Sequence, residues 1–241
     1  MKHQDYIYID EDYYKNPKEI FVFLKKLISN DFVEPSILDL GCARGEFLFF
    51  IKNSLKTKGL TGVDYSLNLI EEGKSFSGLK NVDLIVDSAE EFQMDKTFDV
   101  ITMLGVLSYF QSTMPTLSKI KKHLAINGKA YILGMFNDFD VDVHIKYRNN
   151  KYFDQFESGW NLHSLSTIKK NLDNLNMRLI NVHTFNLSFD LSPQDDPCRA
   201  WHINTENGKK FTNGLGLIYD LRVLEIEINQ QKKHDKNNCK T

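Results

Sequence analysis

The run from Ile37 to Leu48, ILDLGCARGEFL, constrains the fold of this chain more than any other part of it. An apolar segment ends in an acid, passes through small residues and reopens as an amphipathic segment. This pattern is typical of a strand, a tight turn and the beginning of a helix. Gly41 and Gly45 allow the backbone to approach a ligand where a Cβ would collide. The run therefore predicts an α/β fold that holds a nucleotide-like ligand at this turn.

The glycine spacing distinguishes two kinds of nucleotide site. Dinucleotide-binding turns have the pattern Gly-x-Gly-x-x-Gly, whereas this chain has Gly-x-x-x-Gly followed by Glu46. LDLGCARGEF resembles the first motif of the class I S-adenosylmethionine (SAM) dependent methyltransferases, Asp-x-Gly-x-Gly-x-Gly, with Ala43 in place of the middle glycine. The resemblance implies a Rossmann-like fold with a seven-stranded, mostly parallel sheet and an antiparallel last strand. It also implies SAM as the cofactor and S-adenosylhomocysteine (SAH) as the product.

Three further segments resemble the following strands of that family. The segment 60–66 predicts a strand that ends in Asp64, whose two oxygens can accept the ribose hydroxyls of SAM or equally of NAD. The segment 82–87 ends in Asp87, and the resemblance implies that this acid binds the adenine amino group. The segment 97–109 resembles the fourth strand and the turn beneath the methionine part of the cofactor. The predicted cofactor site comprises Asp39, Gly41, Cys42, Ala43, Gly45, Asp64, Tyr65, Ser66, Asp87, Ser88, Ala89, Leu104 and Gly105.

Composition narrows the classes of partner. A net charge of −2 and a pI near 6.4 provide no basic surface for a phosphate backbone, so we expect no nucleic acid. The cysteines Cys42, Cys198 and Cys239 lack Cys-x-x-Cys spacing, which favours a reducing cytoplasm over a disulfide framework. The polar, aromatic amino terminus is not typical of a signal peptide or an anchor, and no apolar run is long enough to span a bilayer. We therefore expect a cytoplasmic protein without a membrane partner.

The alternation of strands and helices predicts one domain over residues 1–228. A helix over 17–29, capped by Asn16, belongs to an N-terminal cap (1–35). The remaining predicted parts are an acceptor-side loop (136–163), a hairpin insertion (193–214) and a polar, disordered tail (229–241).

Local signals predict three further features. The Asn127–Gly128 dipeptide predicts a turn before a strand over 129–135, and Ser164 predicts the cap of a helix that ends near residue 177. The Asn207–Gly208 dipeptide predicts the turn of a β-hairpin.

The acceptor is expected on the side of the sheet where open α/β folds bind ligands, through residues 105–112 and 136–163. Those segments are rich in groups that bind hydroxyls and phosphates, and Arg148 could bind a phosphate with a forked contact. The predicted acceptor site comprises Tyr109, Asn137, Asp138, Tyr147, Arg148 and Trp160.

A hydroxyl acceptor needs a base that titrates near neutral pH. Tyr109 stands where many relatives carry a histidine, and a phenol is a poor base at neutral pH. His144 is therefore the first candidate for the base. In a strand it would share a face with Asp138, Asp140 and Asp142, whose charge would stabilise its protonated form. His163 is the second candidate. Both histidines are also compatible with purely structural roles in loops.

The same alternating acids could hold a divalent ion together with His144, although a solvated face is the more ordinary interpretation, and we expect no metal. The Pro197–Cys198 dipeptide lies too far downstream of the fourth strand to match the catalytic Pro-Cys of cytosine C5 methyltransferases. We therefore expect Cys198 to lie in a surface loop.

The segment from Asp195 to Leu215 is similar to the tail of small methyltransferases encoded with bacterial capsule and lipopolysaccharide genes. This resemblance implies O-methylation of a sugar nucleotide or a related small precursor, or of a phosphorus-containing capsule modification. We expect a small-molecule acceptor, such as a nucleotide sugar, and a monomer or a homodimer. Two rival classes stay open: a nicotinamide oxidoreductase, which the glycine spacing disfavours, and a non-catalytic nucleoside-binding protein with the same fold.

Overall fold

The computed structural model of the protein describes residues 14–152 and 154–230. Helices and strands alternate through the first half, in the order α1 (Glu19–Asp31), β1 (Ser36–Leu40), α2 (Glu46–Ser54), β2 (Gly59–Asp64), α3 (Leu67–Ser75), β3 (Asp83–Val86), β4 (Phe98–Leu104), α4 (Met114–His123) and β5 (Leu124–Asn137). The second half has the order β6 (Lys146–Tyr147), β7 (Glu157–Ser158), β8 (His163–Ser164), α5 (Leu165–Asn174), β9 (Met177–Phe185), β10 (Trp201–Thr205), β11 (Gly208–Thr212), β12 (Ile218–Tyr219) and β13 (Leu221–Ile228). Short 3₁₀ turns occupy Ser77–Leu79 and Leu107–Tyr109.

The main sheet of the described chain has the strand order β3-β2-β1-β4-β5-β13-β9, and the short β8 pairs with the end of β5. Strands β1 to β5 pair in parallel, so each connection between them crosses from one end of the sheet to the other. The last strand, β13, runs antiparallel between β5 and β9. This topology confirms the predicted Rossmann-like fold with its antiparallel last strand.

Strand β1 shows how the sheet divides the core. Its residues point alternately to opposite faces. Ile37 packs in a cluster with α1, α2 and α3, whereas Leu38 and Leu40 pack in a cluster with α4 and α5. Because β1 is covered on both faces, its sequence is an apolar run interrupted by one acid, Asp39. The carboxyl end of this strand opens into the glycine turn.

The predicted hairpin insertion forms a small separate sheet of β10, β11 and β12. Thr205 pairs with Gly208, so the two residues of the turn are Glu206 and Asn207. The hairpin is therefore confirmed, but its turn begins one residue earlier than the Asn207–Gly208 signal predicts. Gly208 has φ +98° and takes the left-handed position that follows the turn.

Two local predictions are wrong because long-range contacts override them. Helix α1 begins at Glu19, after an N-cap at Lys18, and the carboxylate of Glu19 accepts a hydrogen bond from the backbone N–H of Ser188 at 2.8 Å. Asn16 is therefore not the cap. The Asn127–Gly128 dipeptide is not a turn, since β5 runs through it while its register against β4 shifts. A Cβ at Gly128 would lie 2.8 Å from the carbonyl oxygen of Asp99, so the glycine permits close strand pairing.

Ser164 is confirmed as the cap of α5, since its hydroxyl accepts from the N–H of Thr167 at 3.0 Å. The predicted tail lies outside the described residues beyond Gln230, as do Cys239 and the first thirteen residues of the predicted N-terminal cap. Within the described part of the chain, no helix is long and apolar enough to cross a membrane.

Candidate active site

A cavity of about 340 Å³ opens at the carboxyl ends of β1, β2 and β4. Its volume lies within the range of ~300–1,000 Å³ that is typical of small-molecule sites. The cavity is lined by Gly41, Ala43, Val63, Asp64, Tyr65, Leu69, Ser88, Ala89, Leu104, Gly105, Val106, Tyr109 and Phe110. Eight of the predicted cofactor residues are in this lining: Gly41, Ala43, Asp64, Tyr65, Ser88, Ala89, Leu104 and Gly105.

The glycine turn after β1 has an unusual backbone. Gly41, Ala43 and Gly45 have φ values of +75°, +49° and +84°, so the turn repeatedly enters the left-handed region. Asp64 stabilises this shape, because its Oδ2 accepts from the N–H of Ala43 at 2.8 Å. Its Oδ1 accepts from the N–H of Ser66 at 2.9 Å. The acid predicted to bind ribose thus also ties the two ligand-facing turns together.

Asp39 lies beneath the turn and is fully buried, and the described lining does not include it. Burial raises the pKa of Asp39 to about 7, although the hydroxyl of Thr102 donates to its Oδ1 at 2.7 Å. Burial also raises the pKa of the Cys42 thiol, which keeps it neutral. Neither residue is in the described lining, so the predicted contacts of Asp39 and Cys42 with the cofactor stay predictions.

Gly45, Ser66 and Asp87 are also absent from the described lining, although the sequence places them in the cofactor site. Asp87 lies at the end of β3, where its Oδ1 accepts from the N–H of Ser88 at 2.7 Å. Ser88 and Ala89 do line the cavity. Asp87 therefore fixes the backbone at this end of the cavity, and its predicted contact with adenine stays a prediction.

The residues present fit the SAM that the sequence resemblance implies. A carboxylate has about four acceptor positions, so Asp64 can hold two backbone N–H groups and has capacity for ribose hydroxyls. Leu69, Ala89 and Phe110 provide apolar surface for a base and for a thioether chain. Gly41, which lines the cavity, has φ +75° and no Cβ, so the backbone of the turn can lie close to the ligand there.

A second cavity, of about 210 Å³, adjoins the first, and Gly105 and Tyr109 line both. The rest of its lining comes from distant parts of the chain: Ser108, Leu133, Gly134, Met135, Trp160, Asp196, Cys198, Arg199, Tyr219 and Leu221. Of the predicted acceptor residues, Tyr109 and Trp160 are in this lining. Trp160 has φ +59°, a left-handed conformation that is costly for a bulky residue and is often found at functional sites.

The other predicted acceptor residues line neither cavity in the described structure. The side chain of Asn137 bonds to the backbone of its own loop, at Phe139 and Val141. Asp138 makes a forked ion pair with Arg222.

Tyr147 belongs to β6, and Arg148 follows it directly. The hydroxyl of Tyr147 donates to Glu157 at 3.4 Å. The guanidinium of Arg148 lies over the ring of Phe156, 5.3 Å from its centroid. The ring of Tyr147 nevertheless lies near that of Tyr109, since a Cβ at Gly159 would be 3.5 Å from Cδ1 of Tyr109 and 3.6 Å from Cε1 of Tyr147.

The two histidines predicted as bases lie close together, with ring centroids 6.2 Å apart, but outside the lining of either described cavity. His144 is exposed, whereas His163 is buried and its Nε2 lies 3.4 Å from the carbonyl oxygen of Leu107. Burial lowers the pKa of His163 below its usual value, so this ring is neutral at neutral pH.

The shared acidic face predicted beside His144 does not form, because residues 138–140 are bends and residues 141–142 have no regular structure, so the segment is not a strand. Asp140 accepts from the hydroxyl of Ser166, and Asp142 accepts from the N–H of Ser164 and the hydroxyl of Thr167. Each acid is thus held at the beginning of α5. Among the described residues, no group of three or more His, Cys, Asp or Glu side chains is placed to hold a metal ion.

Sequence reasoning missed the turn Asp196–Arg199, and its surface-loop prediction for Cys198 is wrong. Cys198 is 7% exposed and its Sγ accepts from the side-chain amide of Asn149 at 3.7 Å. Burial raises the pKa of this thiol to about 11. No local signal could have found this turn, because the residues that bury it come from distant segments.

Residues 38–130 match a family model described as a methyltransferase domain. The chain is 26% identical over 100 residues to a probable (S)-tetrahydroprotoberberine N-methyltransferase 2 of Papaver bracteatum, covering 40% of this chain and 28% of the relative. It is 26% identical over 115 residues to the malonyl-[acyl-carrier protein] O-methyltransferase of Bacillus anthracis, covering 48% of this chain and 43% of the relative. The chain thus spans less than half the length of either relative.

The fold is shared with solved structures over nearly the whole chain. The structure of an S-adenosylmethionine-dependent methyltransferase from Clostridium acetobutylicum superposes with a TM-score of 0.59 at 14% identity, covering 92% of this chain and 94% of that one. The Rossmann-like methyltransferase fold therefore extends well beyond the residues that match the family model.

Proposed function

We propose that this protein is a class I SAM-dependent methyltransferase that acts on a small molecule. One observation carries the proposal: two cavities meet at Gly105 and Tyr109, at the carboxyl ends of the parallel strands. The first cavity contains the glycine turn and Asp64, and the second adjoins it across one wall. A cofactor and an acceptor can therefore face each other over a short distance.

The cofactor is SAM, which supplies a methyl group already activated by a sulfonium. We assign the cofactor contacts to lining residues of three turns: Gly41 and Ala43 of the glycine turn, Asp64 and Tyr65 on the ribose side, and Ser88 and Ala89 at the base. Because the methyl group is already activated, the chain need not activate the leaving group: it holds the two reactants in line, and a hydroxyl acceptor also needs a base. Correct placement alone can account for about 7–11 kcal/mol of a barrier.

The wall between the cavities does this positioning. Gly105, with φ +76°, turns the chain out of β4, and the 3₁₀ turn Leu107–Tyr109 follows. The apolar side chains of Val106 and Phe110 lie on the cofactor side and exclude water from the reacting atoms. Tyr109 contributes to both linings, so its ring marks the position where methyl transfer would take place.

We propose an oxygen of a sugar nucleotide, or of a related small precursor of bacterial surface polysaccharide, as the acceptor. A phosphorus-containing capsule modification is the alternative. The resemblance of residues 195–215 to methyltransferases of such gene clusters supports this choice. The aromatic walls of the second cavity support it too, because a sugar ring packs its C–H face on Tyr109, Trp160 or Tyr219. The two curated relatives are named for an alkaloid and a malonyl carrier protein, so they do not select a substrate.

Titration calorimetry with SAM, SAH and NAD tests the cofactor. We expect SAM and SAH to bind and NAD not to bind. Binding of NAD in preference to SAH would overturn the proposal in favour of an oxidoreductase. Turnover of SAM with a panel of nucleotide sugars and sugar phosphates then separates an enzyme from a nucleoside-binding protein, because the binding protein would bind SAH and methylate nothing.

A further inference from the structure

The second cavity carries charge as well as aromatic surface. In its described lining, the charged residues are Asp196 and Arg199, which begin and end one turn. Both are half-buried. The other polar side chains of the lining are hydroxyl groups, the Trp160 indole and the Cys198 thiol, which burial keeps neutral. The turn Asp196–Arg199 therefore determines the electrostatics of the cavity.

This turn is built to a fixed shape. Oδ1 of Asp196 accepts from the N–H of Cys198 at 3.0 Å and from the side-chain amide of Asn149 at 3.1 Å. The N–H of Arg199 donates to the carbonyl oxygen of Asp196 at 3.0 Å. Because a carbonyl-type oxygen has two lone pairs, Oδ1 of Asp196 is fully used in holding the turn.

Gly214 fixes the turn from the opposite side. Its N–H donates to the carbonyl oxygen of Pro197 at 2.6 Å, and a Cβ at Gly214 would lie 2.7 Å from that same oxygen. The hairpin insertion thus packs backbone against backbone here. These contacts hold the backbone of Arg199 at the cavity.

We infer, on the premise of the proposed function, that the second cavity binds the acceptor and that Arg199 recognises an anionic group on it, a carboxylate or a phosphate. A guanidinium binds either group with a planar fork of N–H donors. Arg148, which the sequence favours for this role, lies over Phe156 and is absent from both described linings. The tertiary structure thus moves anion recognition from the acceptor-side loop to the hairpin insertion.

The size of the cavity limits what it encloses. Its volume of about 210 Å³ is below the ~300–1,000 Å³ of sites that enclose a drug-sized ligand. It therefore holds one ring and its anionic substituent, while any larger part of the acceptor stays outside. An anionic monosaccharide meets both requirements and fits the proposed sugar acceptor.

Calorimetry on the full chain saturated with SAH tests the inference with three probes: glucose, glucuronate and glucose 1-phosphate. We expect the two anionic sugars to bind at least about tenfold more tightly than glucose. Whichever of the two binds better identifies a carboxylate or a phosphate as the preferred group. Arg199→Ala should remove the difference, and Arg199→Lys should retain part of it, because a charge remains without the fork.

Arg148→Ala is the matched control, since it removes an equal charge outside the cavities, and it should keep the anion preference. Thermal unfolding checks that each variant is folded, and Arg199→Gln replaces Arg199→Ala if the alanine variant is not. Equal binding of glucose and the anionic sugars, no binding of either anionic sugar, or an unchanged preference in the Arg199 variants would overturn the inference. Failure to bind SAH would instead overturn the proposed function, so the two failures are distinguishable.

Discussion

A Cβ atom on Gly41 would lie 2.1 Å from Cγ2 of Val106, so the turn after β1 packs directly against the turn after β4. The first turn belongs to the cofactor cavity, and the second forms the wall that both cavities share. A substitution at either residue should therefore change the shape of both cavities at the proposed reaction centre.

Gly41→Ala should weaken SAH binding at least about tenfold, because the new Cβ displaces Val106 and the left-handed backbone at φ +75° is costly for alanine. Adding Val106→Ala should restore part of the affinity, since it removes the collision but not the backbone strain. The wild type, the two single variants and the double variant form a double-mutant cycle that measures the coupling between the two residues. Gly59→Ala, where a Cβ meets nothing within 4 Å, is the control. Unchanged SAH affinity in Gly41→Ala would contradict the observed contact.

Asn161→Ala should lower turnover by about a hundredfold while leaving SAH affinity nearly unchanged. Asn161 is buried, its N–H donates to Ser108 O at 2.9 Å, and its side-chain amide donates to Phe110 O at 3.1 Å. Its Oδ1 accepts from the N–H of Ile145 at 2.9 Å. The side chain thus fixes the turn that carries Tyr109, and its loss misplaces that ring.

The same substitution should reduce the free energy of unfolding by about 1–3 kcal/mol for each buried group left without a partner. Asn171→Ala controls for this, because it removes a bond to Thr113 that lies outside both described linings and should cost stability alone. Steady-state kinetics and SAH calorimetry separate the two effects. A loss of turnover that merely follows the loss of folded protein would count against a positioning role.

Asp64→Ala should weaken SAH binding by at least about tenfold, because hydrogen bonds to a charged acceptor each contribute ~1.5–3 kcal/mol. The variant also loses the contacts to Ala43 N and Ser66 N that shape both turns. Asp83→Ala is the control: this acid begins β3 and pairs with Lys96 at 3.2 Å, outside the described linings. Wild-type SAH affinity in Asp64→Ala would show that the cofactor lies elsewhere.

The base for a hydroxyl acceptor stays a prediction, with His144 first and His163 second. We expect His144→Ala to lose about 10²–10⁴-fold in turnover, as the removal of a general base does. A base must be unprotonated, so activity falls as the pH drops through its pKa. Burial lowers the pKa of His163 from its usual value of 6.5. If His163 is the base, the rate should therefore fall only when the pH drops below 6.5.

The comparison needs three variants, His144→Ala, His163→Ala and Tyr109→Phe. Tyr109 is included because, of these three residues, it is the one in the described cavity linings. Turnover across pH is measured with SAM binding checked separately. A His144 variant with wild-type turnover and an unchanged pH profile would remove it as the base, and the same result for His163 would leave Tyr109 or no base at all.

Glu225→Gln should reduce stability at neutral pH by about 1–3 kcal/mol. Burial raises the pKa of Glu225, but hydrogen bonds from Lys129, Asn181 and His183 outweigh it and hold the pKa below its usual 4.5. A lowered folded-state pKa stabilises the fold above 4.5, and this contribution is lost as the pH falls through the folded value. Urea unfolding at about pH 7, 5 and 4 should therefore show the gap between wild type and variant close on acidification.

Glu227→Gln is the matched control on the same strand, where Glu227 pairs with Arg178 at a more exposed position. That substitution should change stability by less than about 1 kcal/mol at every pH. A gap for Glu225→Gln that is the same at all three pH values would contradict the assigned role of its charge.

The sequence by itself determined the features whose causes lie within a few residues. The apolar run before Gly41, the left-handed turn and Asp64 at the end of β2 depend on local periodicity and backbone freedom, so their position was predictable. The same is true of the Ser164 cap, whose hydrogen bond spans three residues. These features are sufficient to predict the fold and the cofactor cavity.

Only the tertiary structure decided the second cavity, the proposed acceptor site. This cavity combines residues from β5, from Trp160 and from the turn Asp196–Arg199, which long loops bring together. Arg148 and Arg199 have the same side chain, yet Arg148 lies over Phe156 and Arg199 lines the second cavity. The difference arises because Asn149 and Gly214 hold the turn Asp196–Arg199 in place. A loop's direction is determined by contacts between residues far apart in the chain, and no periodicity in the sequence records them.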